Sequence, residues 1–292
     1  MPASTISDTM RHALSAGLDP AALSGAESPL DAAISARDRE VLALVRHAVQ
    51  KGRVLLAFQP VVRAERPHEV VFHEGLLRVL DPHGRIIPAR DFMGAVEQHE
   101  LGRILDCLAL REGLRLLKQH PQLRLSINMS ARSVGYARWV DTLRRGLLAD
   151  QGLGERLVLE ISEPSAMQMP ELLAGFMRKL QPRGVSFVID DFGAGAVSLR
   201  LLRDFYFDIA KVDGQFIRGI SSDADNQVLT GALLAVARQF EMLAIAESVE
   251  NAADAGRLAQ MGFACLQGYH FGAPVTHPPA MAFQSATGAL KW

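Results

Sequence analysis

Cysteine is scarce in this 292-residue chain: Cys107 and Cys265 stand far apart, with no second Cys or His at metal-ligand spacing. That excludes structural zinc and points to a reducing compartment. Net charge is lacking too. With 31 Lys+Arg against 32 Asp+Glu, no bulk field favours nucleic acid or an anionic membrane, so an anionic ligand must be attracted locally. The longest largely apolar run, Val228 to Ala237, is too short to span a bilayer, and the N-terminus has no basic segment leading into an apolar one. A soluble, cytoplasmic protein is expected. A glycine-rich phosphate turn after the first strand is also missing, which argues against an open, doubly wound sheet.

What is present is a hydrophobic fraction of 49%, enough for a sizeable core. Residues 1–37, rich in Ala, Ser, Pro and Asp, read as an arm or appended helix, with a weak helical pattern at Met10 to Ala16. From Asp38 a barrel domain is expected to run to residue 285, with 286–292 as a tail. Val41, Leu42, Leu44, Val45 and Val49 form a helical stripe that leads into the apolar run Val54 to Val62. A turn near Glu65 to Pro67 and a strand from Glu69 to Leu80 complete a hairpin. Apolar strands then alternate with amphipathic helices: Leu123 to Met129, Arg156 to Ile161, Val185 to Ile189, Phe207 to Val212, Leu243 to Ala246 and Ala264 to Tyr269. This pattern predicts an α/β fold, a (β/α)8 TIM-like barrel with an irregular first β-hairpin.

Polar residues recur where these strands should end: Glu74, Asn128, Glu160, the tandem Asp190 and Asp191, Lys211, Glu247 and Gln267. Strand ends in such a barrel converge on one mouth, and Glu74 joins it only if its strand runs parallel to the rest. Taken singly, each acid reads as solvated loop. Together they would raise one another's pKa unless cations compensate, and oxygen ligands without His or Cys favour Mg²⁺ or Mn²⁺. Adjacent carboxylates in Asp190-Asp191 can serve neighbouring ions once the strand leaves regular pleating, an arrangement suited to two-metal phosphodiester hydrolysis.

The chain resembles the EAL-domain phosphodiesterases, which cleave cyclic di-GMP to linear pGpG. The resemblance runs from about Val41 to Pro274 and rests on Phe58-Gln59-Pro60, Glu74-Gly75-Leu76-Leu77-Arg78, Asn128-Met129-Ser130, Glu160-Ile161-Ser162-Glu163, Asp190-Asp191-Phe192-Gly193, Lys211-Val212-Asp213, Ala246-Glu247-Ser248-Val249-Glu250 and Gln267-Gly268-Tyr269. It implies that Glu74, Asn128, Glu160 and Asp190 bind one Mg²⁺ or Mn²⁺ ion, and that Asp190, Asp191 and Glu247 serve a second. Ca²⁺ is expected to inhibit. Lys211 would touch or deprotonate the attacking water, with orientation the preferred role. Arg78 is a candidate for a substrate phosphate, against a structural ion pair. Gln59 and Gln267 are candidates for substrate or metal-bound water, against barrel-end packing. Glu163, Glu250 and Asp213 are assigned to ordering loops, Glu163 by pinning the loop after Asp191.

Two departures stand out. Gly75 replaces the family's Ala, with little effect expected. The loop Gly193-Ala194-Gly195-Ala196-Val197-Ser198 lacks the usual Thr after the first Gly and the Tyr-Ser pair after the second. Weaker ordering of Asp191 would lower turnover, which keeps open a receptor that binds cyclic di-GMP without cleaving it. A metal-dependent aldolase or enolase-like lyase explains the acids but not the ordered motifs. Expected partners are cyclic di-GMP, a second copy of the chain through the Phe205-Tyr206-Phe207 region, taken as exposed, and a protein bound through the arm. No nucleic acid or membrane is expected.

Overall fold

The computed structural model describes residues 29–195 and 202–277. The pattern at Met10 to Ala16, positions 196–198 of the altered loop and the tail 286–292 lie outside the described residues.

Helix α1 (Pro29–Gln50) starts well before Asp38, so the expected boundary between arm and barrel falls inside one helix. The later turns of α1 bury Val45 and Ala48 against Val79, Phe92, Val96, Leu101 and Leu105. Strands β1 (Val54–Arg63) and β2 (Val70–Leu80) form the expected antiparallel hairpin. A short β3 (Ile86–Pro88), not expected from the sequence, pairs with the far end of β2. Strands β4 (Leu125–Asn128), β5 (Leu157–Ser162), β6 (Ser186–Phe192), β7 (Ile209–Val212), β8 (Leu243–Ala246) and β9 (Cys265–Gln267) follow, each parallel to its neighbour. β2 pairs with β4 in parallel, and β1 pairs with both β9 and β2, which closes the barrel.

The connecting helices are α2 (Met93–Val96), α3 (Glu100–Gln119), α4 (Ala137–Ala149), α5 (Glu163–Gln168), α6 (Pro170–Leu180), α7 (Gly214–Ile217), α8 (Ala224–Gln239) and α9 (Ala252–Met261). Asp223 caps α8 by accepting from Asn226 N, and Asn251 caps α9 by accepting from Asp254 N. No described helix is long and apolar enough to cross a membrane.

Pleating places alternate strand residues inside the barrel. Val61, Phe72, Val158, Val188, Ile209, Ile245 and Cys265 make an apolar layer there. Two positions further along each parallel strand stand Glu74, Glu160, Asp190, Lys211, Glu247 and Gln267. On β1, which runs the other way, the inward residue beside this polar layer is Gln59. The site is therefore the second inward layer of the barrel, resting on a dry first one.

Glu74 is not at a strand end. β2 continues past it to Leu80, and the carboxyl is buried. Gly75, which faces outward, is also more constrained than its size suggests: a Cβ there would lie 2.9 Å from Ile127 Cδ1 and 3.1 Å from the Ser126 carbonyl oxygen. Ile127 fills room left by Gly75 and Gly113. Gly75→Ala is therefore expected to cost about 1 kcal/mol, the low end of overpacking penalties. Denaturant unfolding should show it, with Ile127→Val recovering most of the loss; an unchanged single variant would mean the space is free.

The aromatic region taken as exposed is mostly interior. Phe205 and Phe207 are buried with ring centroids 5.3 Å apart, and only Tyr206 reaches solvent. The sequence motive for a homodimer there is lost.

Candidate active site

Lys211 is the hub of the polar layer. Its ammonium, on a side chain 1% exposed, lies 3.1 Å from Glu74 Oε2, 2.9 Å from Glu160 Oε2, 3.3 Å from Asp190 Oδ1 and 2.5 Å from Glu247 Oε1. Burial disfavours its charge, but Asp190, Glu160, Glu247 and Glu74 outweigh burial and hold its pKa well above the ordinary lysine value. These four acids favour the charged ammonium and suit Lys211 to orienting and electrostatic work. One cation does not neutralise the acids around it. Burial pushes Glu160 up to about 8, with Glu74 and Asp190 adding and Lys211 opposing. Burial and then Asp190 likewise raise Glu247. Glu74 goes the other way: burial is outweighed by Lys211 and by the amides of Gln267 and Asn128. Asn128 Nδ2 donates to Glu74 Oε1 at 2.8 Å and Gln267 Nε2 to Oε2 at 2.6 Å.

The tandem acid is aimed by a bulge. β6 and β7 pair at Ile189↔Ala210 and resume at Phe192↔Val212, so Asp190 and Asp191 together oppose Lys211 alone. Asp191 has φ 55°, which turns its side chain off the regular alternation. As a result, carboxylate oxygens of Asp190, Asp191 and Glu247 come within 4.8 Å of one another. Burial, then Asp190 and Asp213, raise Asp191 to about 6. Glu160 Oε1 is buried without a hydrogen-bond partner, and Asp190 Oδ1, buried too, has only the ion pair to Lys211 at 3.3 Å. Unsatisfied carboxylate oxygens beside crowded acids fit hard divalent cations. Glu74, Asn128 and Glu160 stand next to this cluster but are gathered on Lys211 and on one another rather than on a common point.

Above these acids opens a cavity of about 390 Å³. The EAL domain sequence profile matches residues 43–274. The chain belongs to the EAL domain family. Among curated relatives of this EAL chain, the cyclic di-GMP phosphodiesterase PdeB of Shewanella oneidensis is 29% identical over 79% of it and 27% of PdeB. The bifunctional diguanylate cyclase/phosphodiesterase MucR of Pseudomonas aeruginosa is 30% identical over 84% of it and 37% of MucR. The chain thus spans about a third of these relatives' length. A solved structure of the MucR phosphodiesterase with cyclic di-GMP superposes with TM-score 0.70 at 29% identity, covering 81% of this chain and 97% of that one. The FimX EAL domain of P. aeruginosa bound to cyclic di-GMP gives TM-score 0.73 at 27% identity, covering 81% and 97%.

The remaining candidates divide within this EAL domain. Gln59 and Gln267 line the cavity and are linked, Gln267 Nε2 to Gln59 Oε1 at 3.3 Å. Arg78 shares the inward face of β2 with Glu74 but turns Nη1 to the Leu77 carbonyl and does not line the cavity. Glu163, buried at the start of α5, accepts the Gly193 N–H at 2.8 Å, and a Cβ at Gly195 would collide with its Oε1. Asp213 caps α7 through Gln215 N, and its own N–H donates to the Phe192 carbonyl at 3.3 Å, just ahead of the loop. Glu250 is largely exposed at the rim, 3.9 Å from Arg218. Sequence reasoning missed Arg90 and Arg218, which also line the cavity. It missed Asp106 as well: buried on α3 and pushed up to about 6 by burial, it accepts from Ser130 N and Ser133 Oγ and so fixes the chain just after Asn128. An acid on the apolar stripe of α3, beside Leu105 and Leu110, was the available signal.

Proposed function

We propose that this chain is a metal-dependent phosphodiesterase that opens cyclic di-GMP to linear pGpG. What carries the reading is the completeness of the acid set: Glu74, Glu160, Asp190 and Glu247 gather on Lys211, Asp191 joins Asp190 and Glu247, and the buried Glu160 Oε1 has no hydrogen-bond partner. Asp190, Asp191 and Glu247 would hold one Mg²⁺ or Mn²⁺ ion, and Glu74, Asn128, Glu160 and Asp190 the other. When bound, two such ions would supply charge against the scissile phosphate and a water acidic enough to serve as nucleophile. Water adds to one phosphorus as the bond to the 3′ oxygen breaks, leaving a 5′ phosphate and a free 3′ hydroxyl. Lys211 holds the carboxylates in register and directs a hydrogen bond into the site. Arg90, with Arg78 behind it, supplies positive charge for a phosphate on the β2 side. Glu163 holds Gly193, and through it the backbone after Asp191.

Purified protein incubated with cyclic di-GMP, its products resolved by chromatography, tests this. Linear dinucleotide is expected with Mg²⁺ or Mn²⁺. With Ca²⁺, whose looser coordination spoils the metal spacing, little is expected. Tight binding without product under either active metal would overturn the enzyme and leave a receptor.

A further inference from the structure

Arg218 projects over the mouth from the loop after α7, and its surroundings are built to hold it there. The carboxylate of Asp254, 2% exposed on α9, accepts the N–H groups of Gly219 at 3.1 Å and Ser221 at 2.9 Å, which fixes the turn that carries Arg218. The arginine side chain passes beside Gly214, where a Cβ would lie 3.1 Å from Nη2. Nη2 donates to Ser248 Oγ at 3.1 Å.

Ser248 immediately follows Glu247 and has φ 54°, the left-handed region that a residue with a Cβ adopts only when its surroundings enforce it. Gly214 makes room for it: a Cβ there would lie 2.4 Å from Ser248 Oγ. On the other side, Val249 N donates to the Gln267 carbonyl at 3.0 Å, and Gly268 lies so close to Val249 that a Cβ would meet its carbonyl oxygen at 2.0 Å. The loop Glu247-Ser248-Val249 is thus gripped between two glycines, and Arg218 supplies a side-chain hydrogen bond to its strained residue.

We propose that Arg218 is a positioning residue, which sets the Glu247 carboxylate against Asp190, Asp191 and Lys211 by holding Ser248 in its left-handed conformation. The inference rests on the reading that Glu247 serves a metal. Its rival is direct contact between the guanidinium, on a side chain 58% exposed at the cavity wall, and the bound anion.

Arg218→Ala, Ser248→Gly and the double variant separate the two. Mn²⁺ affinity is measured by calorimetry without substrate, and kcat and KM by hydrolysis of cyclic di-GMP. Arg218→Ala should lower both Mn²⁺ affinity and kcat roughly tenfold, as outer-shell changes do, while KM stays within about twofold. Glycine at 248 adopts positive φ unaided, so in the Ser248→Gly background Arg218→Ala should have little further effect. Arg218→Lys, which keeps a donor, should fall between. A loss that persists undiminished beside Gly at 248, a rise in KM with Mn²⁺ affinity unchanged, or a wild type that binds no Mn²⁺ would each overturn the proposal. A wild type that binds Mn²⁺ but hydrolyses nothing would defeat the phosphodiesterase, and the affinity cycle would still decide the role of Arg218.

Discussion

Glu74→Gln should lower Mn²⁺-dependent hydrolysis of cyclic di-GMP by more than about a hundredfold, beyond the usual reach of an outer-shell change, and leave the barrel folded. Both oxygens of Glu74 face donors: Asn128 Nδ2 on one, Gln267 Nε2 and Lys211 Nζ on the other. A glutamine keeps its oxygen toward Lys211 and Gln267 and turns its NH₂ toward Asn128. Asn128 must then flip its amide and spend its oxygen on residue 74, so the change removes a carboxylate and a second ligand atom together. Alanine is the poorer probe. It would leave the Asn128 amide without its acceptor, at about 1–3 kcal/mol, strip one acceptor each from Gln267 and Lys211, and confuse lost chemistry with lost stability. Steady-state rates, Mn²⁺ affinity and thermal unfolding measured on one preparation check this. A kcat within tenfold of wild type would remove Glu74 from the site.

The position of this site was legible because the barrel writes it in period two. Phe72 and Glu74, Val158 and Glu160, Val188 and Asp190, Ile209 and Lys211, Ile245 and Glu247, and Cys265 and Gln267 repeat one inward step from apolar to polar. Residue type and spacing alone carry that signal. What escaped depends on distance between elements remote in sequence. Glu74 reads as a strand end until β3 is seen to prolong the pairing of β2 to Leu80. Gly75 looks replaceable until Ile127 is found in the space it leaves. Phe205 and Phe207 flank an exposed tyrosine, yet both pack inward, on an alternation that continues into Ile209 of β7. Arg90 and Arg218 sit in or beside single helical turns, too short for a repeat to show which way a side chain faces. Their place at the mouth follows from closure of the ring, which sets β2 and β7 on opposite sides.

Replacing Lys211 with methionine should destabilise the protein by about 3–5 kcal/mol in EDTA, the usual consequence of removing one member of a buried ionic cluster. Methionine nearly matches lysine in length and volume, so packing contributes little to the loss. Four carboxylates that shared one ammonium are then left facing one another at the distances set by β2, β5, β6 and β8. A divalent cation supplies the missing charge and binds the folded state only, so saturating Mn²⁺ should stabilise Lys211→Met by more than it stabilises wild type. Denaturant unfolding with and without Mn²⁺ measures both increments. Equal increments, or no loss in EDTA, would mean that the ammonium does not hold the acids together. Hydrolysis at saturating Mn²⁺ then isolates the second role. With the structure restored by metal, any remaining fall in kcat reports the part Lys211 plays in the reaction, and the pH profile of that fall separates a hydrogen bond directed into the site from proton transfer.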